Sequence, residues 1–390
     1  MPRFTIAFLA GTLAALSAAP AVGASDTPTT SEWSVKPRGR LQVDIARVDA
    51  PPALASGDFG TEAEARRAYL GVDGTLPGDF EYRLEADFAG SSVKLTDIYL
   101  AYKPAPGLTL TLGQHKPFFG IEEQTSDLFT SMLERAAFTS AFGFERRLGF
   151  SGTYSQGGLL VQLGAFSVNT ANLDADDDSF SVDGRLVFSP KVGPGVLHLA
   201  GSAHWRDLGD ETGSVRYRAR PFTHTTEPRL IDTGAIDASG ERHFGVELAY
   251  IAGPFHATLE GHRITALRPG LANPDFTGGY AEVGLLLTPG DTTGYKEGAY
   301  DRIRPTHPVT EDGPGAVQVN ARYDRLALND GPVTGGLQQA LALSAVWALT
   351  SSLRVQANYG HLWVSDAAIP AGVDSDYQAD VIGLRAQIDF

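Results

Sequence analysis

Apolar and charged residues alternate strictly in the segment from Phe80 to Phe88. Its sequence is Phe80-Glu81-Tyr82-Arg83-Leu84-Glu85-Ala86-Asp87-Phe88, with an apolar residue at every even position and a charged residue at every odd one. A repeat of two residues explains this order, and it is the repeat of a β-strand. Strands of soluble sandwiches are about half as long, whereas a tilted membrane strand needs roughly 9 to 11 residues. The segment therefore predicts a membrane-spanning strand with its even positions toward lipid and its charges inside.

The same alternation recurs along the chain, and short turns separate many of its occurrences. Clear repeats lie at 108–112, 159–165, 180–188 and 244–250. Tight reversals suited to periplasmic turns are predicted at 77–79, 104–107, 156–158 and 253–254. Counting periodic segments from Arg38 to Phe390 gives about sixteen strands, enough to surround a water-filled lumen. The chain is predicted to be all-β, a transmembrane antiparallel β-barrel.

Longer irregular stretches, rich in Gly, Pro, Asp and Thr, fall between the strands. They are residues 116–145, 207–240, 267–275, 289–314 and 365–376. Such stretches are typical of extracellular barrel loops. Within the first, residues 127–135 could form a short helix capped by Ser126 or Asp127. We expect this loop to fold inward and to constrict the lumen.

Both ends of the chain indicate export to an outer membrane. Arg3, an apolar run over residues 4–19 and small residues up to Ala24 have the layout of a cleaved secretory signal. The alternating last segment ends at Phe390, which resembles the assembly signal of outer-membrane proteins. We therefore assign 1–24 to a signal peptide, 25–37 to a short N-terminal periplasmic segment and 38–390 to the barrel. The expected localisation is the cell outer membrane.

Composition excludes several other classes. The chain contains no cysteine, so it is not a disulfide scaffold. Mean hydropathy is -0.10, and no stretch of about 20 apolar residues follows the signal, which excludes helical membrane spans. The formal net charge of -15 argues against a nucleic-acid partner.

Candidate chemistry lies mainly in the loops. Three arginines, Arg216, Arg218 and Arg220, occur at a spacing of two in the extended segment before Pro221, and Arg229 follows nearby. Aligned guanidinium groups are favourable when they face water or an anion, since each offers a planar fork for phosphate or carboxylate. The alternative for this segment is a solvated loop edge.

An enzyme or a metal site is a weaker alternative. His256, Glu260 and His262 share one strand face, but such residues more often line a barrel wall than hold a metal. No G-x-S-x-G sequence is present, and no signature brings a Ser, a His and an acid together. We expect no enzymatic activity and no cofactor.

Several motifs resemble the phosphate-selective porin O/P family over nearly the whole mature chain. They are Pro37-Arg38-Gly39-Arg40-Leu41, Glu64-Ala65-Arg66-Arg67-Ala68-Tyr69-Leu70-Gly71, Asp97-Ile98-Tyr99-Leu100-Ala101-Tyr102, Gly113-Gln114-His115-Lys116-Pro117-Phe118-Phe119-Gly120, Arg216-Tyr217-Arg218-Ala219-Arg220-Pro221, Asp232-Thr233-Gly234 and Asp380-Val381-Ile382-Gly383-Leu384. This resemblance implies a homotrimer of sixteen-stranded channels in the outer-membrane bilayer. It also implies an arginine ladder that leads to a central site for small anions such as phosphate.

The resemblance also assigns residue roles. Arg66, Arg67 and Tyr69 are expected at the constriction, with Asp97 as an acidic neighbour and Ser126 as a hydroxyl donor. Arg216, Arg218 and Arg220 are expected to form the ladder, and Lys116 and Arg229 are further anion-binding candidates. The expected function is passive diffusion of small anions, such as phosphate or polyphosphate, through an arginine-lined pore.

One position departs from the family pattern. Glu123 stands where the resemblance places a lysine that helps to hold the anion. Two unit charges about 4 Å apart interact with an energy of about 4 kcal/mol at an effective dielectric constant of about 20, so a carboxylate at this position would repel an anion by about this amount. Two alternatives therefore stay open: a general or weakly selective porin without a phosphate site, and a structural or adhesive barrel.

Overall fold

The computed structural model describes residues 32–54, 59–143, 145–172, 178–209 and 213–390. The proposed signal peptide, residues 1–24, and the beginning of the segment 25–37 lie outside the described residues. In the described part of the chain, no helix has the length and apolar character needed to cross a membrane.

The described residues form a closed antiparallel barrel of sixteen long strands. In chain order, β1 to β16 are Ser34–Asp49, Thr61–Leu76, Phe80–Asp87, Lys94–Ala105, Leu108–His115, Arg147–Gln156, Leu159–Phe166, Phe180–Phe188, Gly195–Asp207, Gly240–Ala252, Phe255–Leu267, Asp275–Leu286, Ala316–Asp330, Val333–Ala348, Leu353–Ser365 and Tyr377–Asp389. A short piece, Lys191–Val192, continues β8 alongside β9. The barrel closes where β16 pairs with β1, from Arg40 opposite Asp389 to Asp49 opposite Asp380. The predicted fold class is confirmed, although β1 already begins at Ser34, ahead of Arg38.

The alternation of apolar and polar positions separates the two faces of the wall. On β10, Phe244 is 58% exposed on the outer surface, whereas its neighbour His243 is 1% exposed toward the lumen. On β3, the same division leaves Leu84 outside and buries Glu85 inside. Because β16 pairs with β1, each of the sixteen described wall strands pairs on both sides, as a lipid environment requires.

The loop between β5 and β6, residues 116–146, folds into the lumen and is called loop 3 below. Its helices are α1, Ile121–Gln124, and α2, Ala137–Phe142. The prediction of a helix over 127–135 is wrong. Side chains of the wall donate hydrogen bonds to backbone carbonyl groups that would accept the hydrogen bonds of such a helix. Gln387 donates to the Leu128 carbonyl at 3.1 Å. Gln356 likewise donates to the Ser131 carbonyl at 2.7 Å.

An apolar cluster fills one side of the lumen. Phe138 of α2 is fully buried and stacks on His262 of the wall, with ring centroids 4.6 Å apart. Gly278 permits this close approach, since a Cβ atom there would lie 2.4 Å from the Cβ of Phe138. The loop between β9 and β10, residues 208–239 and called loop 5 below, adds Tyr217, whose ring centroid lies 5.2 Å from that of Phe276. An open, polar cavity lies along the opposite side of the lumen.

Residues 287–315, between β12 and β13, are placed at the opposite end of the barrel from the one expected. The backbone N–H of Thr293 donates to Gly253, in one of the short turns. That of Val309 donates to Leu349, at another of these turns. Short turns mark the periplasmic end. The assignment of 289–314 to an extracellular loop is therefore wrong, and the segment is called the periplasmic loop below.

The periplasmic loop also folds inward and contacts loop 3. The guanidinium group of Arg302 lies 4.9 Å from the ring centroid of Phe129. The backbone N–H of Tyr300 donates to the Thr125 hydroxyl at 3.2 Å. Arg302 also pairs with Asp389 near the end of β16, with Nη1 and Oδ1 3.1 Å apart. Two loops that enter from opposite ends thus meet inside the barrel.

The substitution Phe138→Ala tests the packing of α2 against the wall. It should lower the free energy of unfolding by about 3–5 kcal/mol, because it leaves a cavity in the apolar cluster. Urea unfolding in detergent micelles, followed by tryptophan fluorescence, measures this change. Leu271→Ala, at a loop residue that is 60% exposed, is the control and should change the value by no more than about 0.5 kcal/mol. A loss below about 1 kcal/mol in Phe138→Ala would contradict this packing.

Candidate functional site

An open cavity of about 310 Å³ lies between loop 3 and the side of the wall that the apolar cluster leaves free. It is lined by Arg38, Arg40, Arg67, Tyr69, Arg83, Asp97, Tyr99, His115, Lys116, Glu123, Gln124, Ser126, Asp127, Arg135 and Arg146. Strands β1 to β5 supply the wall, and loop 3 supplies the opposite side. This polar part of the lumen, where loop 3 faces the wall, is called the constriction cavity below.

A β-bulge sets the directions of two consecutive arginines on β2. Gln42 of β1 faces Arg67, whereas the next residue, Val43, faces Ala65, so Arg66 is the extra residue of the bulge. A bulge interrupts the alternation of faces and can direct neighbouring side chains to the same side. Arg67 lines the constriction cavity, and Arg66 pairs beside it with Glu134 of loop 3 through two hydrogen bonds of 2.8 and 3.0 Å.

Asp127 of loop 3 lies between two arginines of the wall. Its Oδ2 atom is 2.6 Å from Nε of Arg67, and its Oδ1 atom pairs with Nη1 of Arg40. The guanidinium group of Arg40 also stacks over the ring of Tyr69, 4.7 Å from its centroid. Ser126 lines the cavity beside Asp127, and its hydroxyl accepts the backbone N–H of Leu128 at 3.3 Å.

Glu123 is paired on both of its carboxylate oxygens. Oε1 lies 2.6 Å from Nζ of Lys116, and Oε2 lies 3.4 Å from Nε of Arg135. Asp97 is held in the same way by Arg146, with Nε and Oδ1 2.8 Å apart. The carboxylate that departs from the family pattern therefore lies among cations that compensate its charge.

Cations outnumber acids in this cavity. Seven arginine or lysine side chains line it, against three carboxylates. Two more carboxylates pair with lining arginines from the wall: Asp73 with Arg83 at 2.7 Å, and Glu85 with Arg38 at 3.0 Å. Even with these included, positive charge is in excess, in a space where burial strengthens electrostatic interactions.

The arginines of loop 5 form a separate group. Val215, Tyr217 and Ala219 are buried, and the side chains between them, Arg216 and Arg218, are exposed. The alternation that the spacing predicted is therefore present. Arg216 pairs with Asp232 through two hydrogen bonds of 2.8 and 2.6 Å, and Arg220 lies 3.2 Å from Glu227. Partial burial, together with the charges of Arg220 and Arg218, lowers the pKa of Arg229 to about 10. Two of these four arginines, Arg216 and Arg220, are therefore compensated by carboxylates of the same loop.

The candidate residues thus lie in two separate parts of the structure. Five line the constriction cavity, namely Arg67, Tyr69, Asp97, Lys116 and Ser126, with Arg66 directly beside it. The other four, Arg216, Arg218, Arg220 and Arg229, lie in loop 5, and within the described residues none of them lines the cavity.

Sequence reasoning missed several cavity residues. Arg135 and Arg146 belong to loop 3, whose path the sequence pattern does not reveal. Arg38 and Arg40 were noticed only as part of a motif. Their alternation with outward residues of β1, such as Leu41, was the signal that could have placed them in the lumen.

The histidine and glutamate side chains of β11 belong to a packed hydrogen-bond network. His262 bonds Glu260 at 2.9 Å and His243 at 3.1 Å, while His256 bonds Glu282 at 3.1 Å. Among the described residues, no group of three or more His, Asp or Glu side chains is arranged to hold a metal ion. These side chains join loop 3 to the wall, since Glu260 also accepts the backbone N–H of Glu122.

Comparisons with known proteins agree with this architecture. Residues 35–390 match the family model described as phosphate-selective porin O and P. A Caulobacter vibrioides protein without an assigned function is 41% identical over 372 residues, which cover 93% of this chain and 75% of that protein. Porin O of Pseudomonas aeruginosa is 27% identical over 371 residues, covering 85% and 83% of the two chains.

Solved structures share the fold at low sequence identity. An anion-selective porin from Comamonas acidovorans superposes with a TM-score of 0.59 at 13% identity, covering 92% of this chain and all of the other. Together with the family match, the barrel and its inward loop define an outer-membrane porin. The chain belongs to the phosphate-selective porin O and P family, and the outer membrane is its location.

The charge of the constriction cavity should depend on pH through Lys116, which lies in loop 3 outside the spanning strands. Burial lowers the pKa of Lys116 to about 8, and the nearby Glu123 only partly offsets this effect. The ammonium group is charged below this pH and loses its proton above it. Raising the pH from about 7 to about 9 should therefore remove positive charge from the cavity. The reversal potential should then move toward the equilibrium potential of the cation.

Reversal potentials of single channels in a salt gradient, recorded across this pH range, measure the effect. In Lys116→Arg the side chain at this position stays charged over the whole pH range, so the shift in reversal potential should disappear. An equal shift in the wild type and in this variant would contradict the assignment to Lys116.

Proposed function

We propose that this porin conducts small anions selectively and that the constriction cavity sets the selectivity. The excess of cationic over acidic side chains in the cavity is the observation that carries the proposal. An ion that enters a narrow space loses part of its hydration, and protein groups must replace the lost water contacts. Guanidinium groups suit this task for anions, because their planar forks bind two oxygen atoms at once.

The surroundings of the cavity support a continuous route. On the extracellular side, the exposed guanidinium group of Arg218 in loop 5 would raise the local concentration of anions. On the periplasmic side, a second open space is bordered by Thr109 and Thr153 of the wall, by Lys103, and by the carboxylates of Asp79 and Glu297. The hydroxyl groups of this space provide polar contacts for a solute that leaves the constriction.

Phosphate is one of the anions that this arrangement suits. In favour of it, Lys116 and Arg135 compensate Glu123, so a cation still borders the position where the family pattern has a lysine. The proposal includes export by the signal peptide, residues 1–24, assembly as a homotrimer, and a role in passive transport without catalysis.

Reversal potentials in planar bilayers test the proposed selectivity. The wild type should prefer chloride and phosphate over potassium. Arg67→Gln should weaken this preference, because it removes a guanidinium group from the constriction cavity. The matched control is Arg263→Gln, at an arginine on the outer surface of β11 whose side chain is 60% exposed; its selectivity should equal that of the wild type. Cation selectivity of the intact protein would overturn the proposal in favour of a general porin.

The arginines of loop 5 should contribute less to selectivity than those of the constriction. Arg218→Gln lowers the charge at an exposed position, where water and salt screen its field. We expect it to reduce the single-channel anion conductance at low ionic strength and to have little effect near 1 M salt, where the Debye length is about 3 Å. Conductance measured over a range of salt concentrations checks this. A reduction that is equally large at high salt would contradict the role of a distant, screened charge.

A further inference from the structure

Asp127 differs from the other loop 3 carboxylates that pair with the wall. Glu122 pairs with Arg322, and Glu134 pairs with Arg66 and Arg385. In the described part of the chain, neither of these two glutamates lines the constriction cavity. Asp127 and both of its arginine partners do line it. Its ion pairs are therefore formed on the path of the solute.

Loop 3 does not need the Asp127 side chain to stay in place. Gln42 donates to the carbonyl of Asp127 at 3.1 Å. Arg354 and Gln387 both donate to the carbonyl of the next residue, Leu128, at 2.8 and 3.1 Å. These bonds fix the backbone, so the carboxylate can rotate away from its arginines while the loop keeps its position.

The geometry around Asp127 is also that of a bound anion. One oxygen contacts Arg40 and the other contacts Arg67, so a single carboxylate joins two guanidinium groups. Any anion with two oxygens on one central atom, such as a carboxylate or a phosphate, can make the same pair of contacts. Chloride offers one atom in place of two, so it cannot give each guanidinium group its own acceptor.

We propose that the Asp127 carboxylate is an internal competitor of the transported oxyanion. It occupies the Arg40–Arg67 pair while the cavity is empty and leaves it when an oxyanion enters. Conduction requires binding that is strong enough for entry and weak enough for release. An internal competitor weakens binding at the two arginines without removing their charge. This inference rests on the proposed anion selectivity and specifies which residue limits the affinity.

Block of the chloride current by inorganic phosphate tests the inference on the full-length porin in planar bilayers. In Asp127→Asn the half-blocking phosphate concentration should fall by about tenfold, because a neutral amide competes for the two guanidinium groups much more weakly than a carboxylate does. Asp127→Ser, which removes the carboxylate by a different substitution, should behave in the same way. Asp275→Asn is the control: it removes a carboxylate that pairs with Arg263 on the outer surface of the barrel, away from the cavity, and should leave the block unchanged.

A double-mutant cycle separates competition from the simple loss of a negative charge. If Asp127 acts by occupying Arg67, the gain from Asp127→Asn should largely disappear in the Arg67→Gln background. Additive effects would mean that Asp127 acts only through its field, and this result would overturn the inference. An unchanged half-blocking concentration in Asp127→Asn, with anion selectivity intact, would overturn the inference alone. Cation selectivity of the wild type would overturn the proposed function itself.

Discussion

The pairing of loop 3 carboxylates with arginines of the barrel wall determines the shape of the lumen. Glu122 binds Arg322 on one side, and Glu134 binds Arg385 near the closure of the barrel. Removing one partner of a buried pair leaves an uncompensated charge and costs about 3–5 kcal/mol. The loop is therefore held firmly across the channel. With apolar packing behind it and arginines in front of it, the free space becomes a narrow route along β1 to β5.

Much of the wall could be predicted from the sequence because its pattern is local. The alternation in Phe80 to Phe88 is enough to place Glu85 inside and Leu84 outside. The bulge at Arg66 could not be derived from alternation, since a repeat of two residues assigns Arg66 and Arg67 to opposite faces. Only the resemblance to a family indicated that both belong to the constriction.

The loops were less predictable, because their conformation depends on distant partners. The segment 127–135 has a helix-like composition, but its carbonyl groups are bound by side chains from strands more than two hundred residues away, such as Gln356 and Gln387. The periplasmic loop has the composition of an extracellular one. Successive strands run in opposite directions, so the end of the barrel at which a loop lies depends on whether an odd or an even number of strands precedes it. An approximate strand count does not give this information. Arg135 and Arg146 were missed because the path of loop 3 depends on such distant partners.

The position of several loop anchors on the last strand has a consequence for biogenesis. Arg385 holds Glu134 of loop 3, and Asp389 holds Arg302 of the periplasmic loop. Both partners belong to β16, which is synthesised after the other fifteen wall strands and which closes the barrel against β1. Neither inward loop can form its full set of contacts until that seam is joined. A barrel that is inserted but not yet closed therefore has a looser interior, and the narrow filter is completed only at the final stage of assembly.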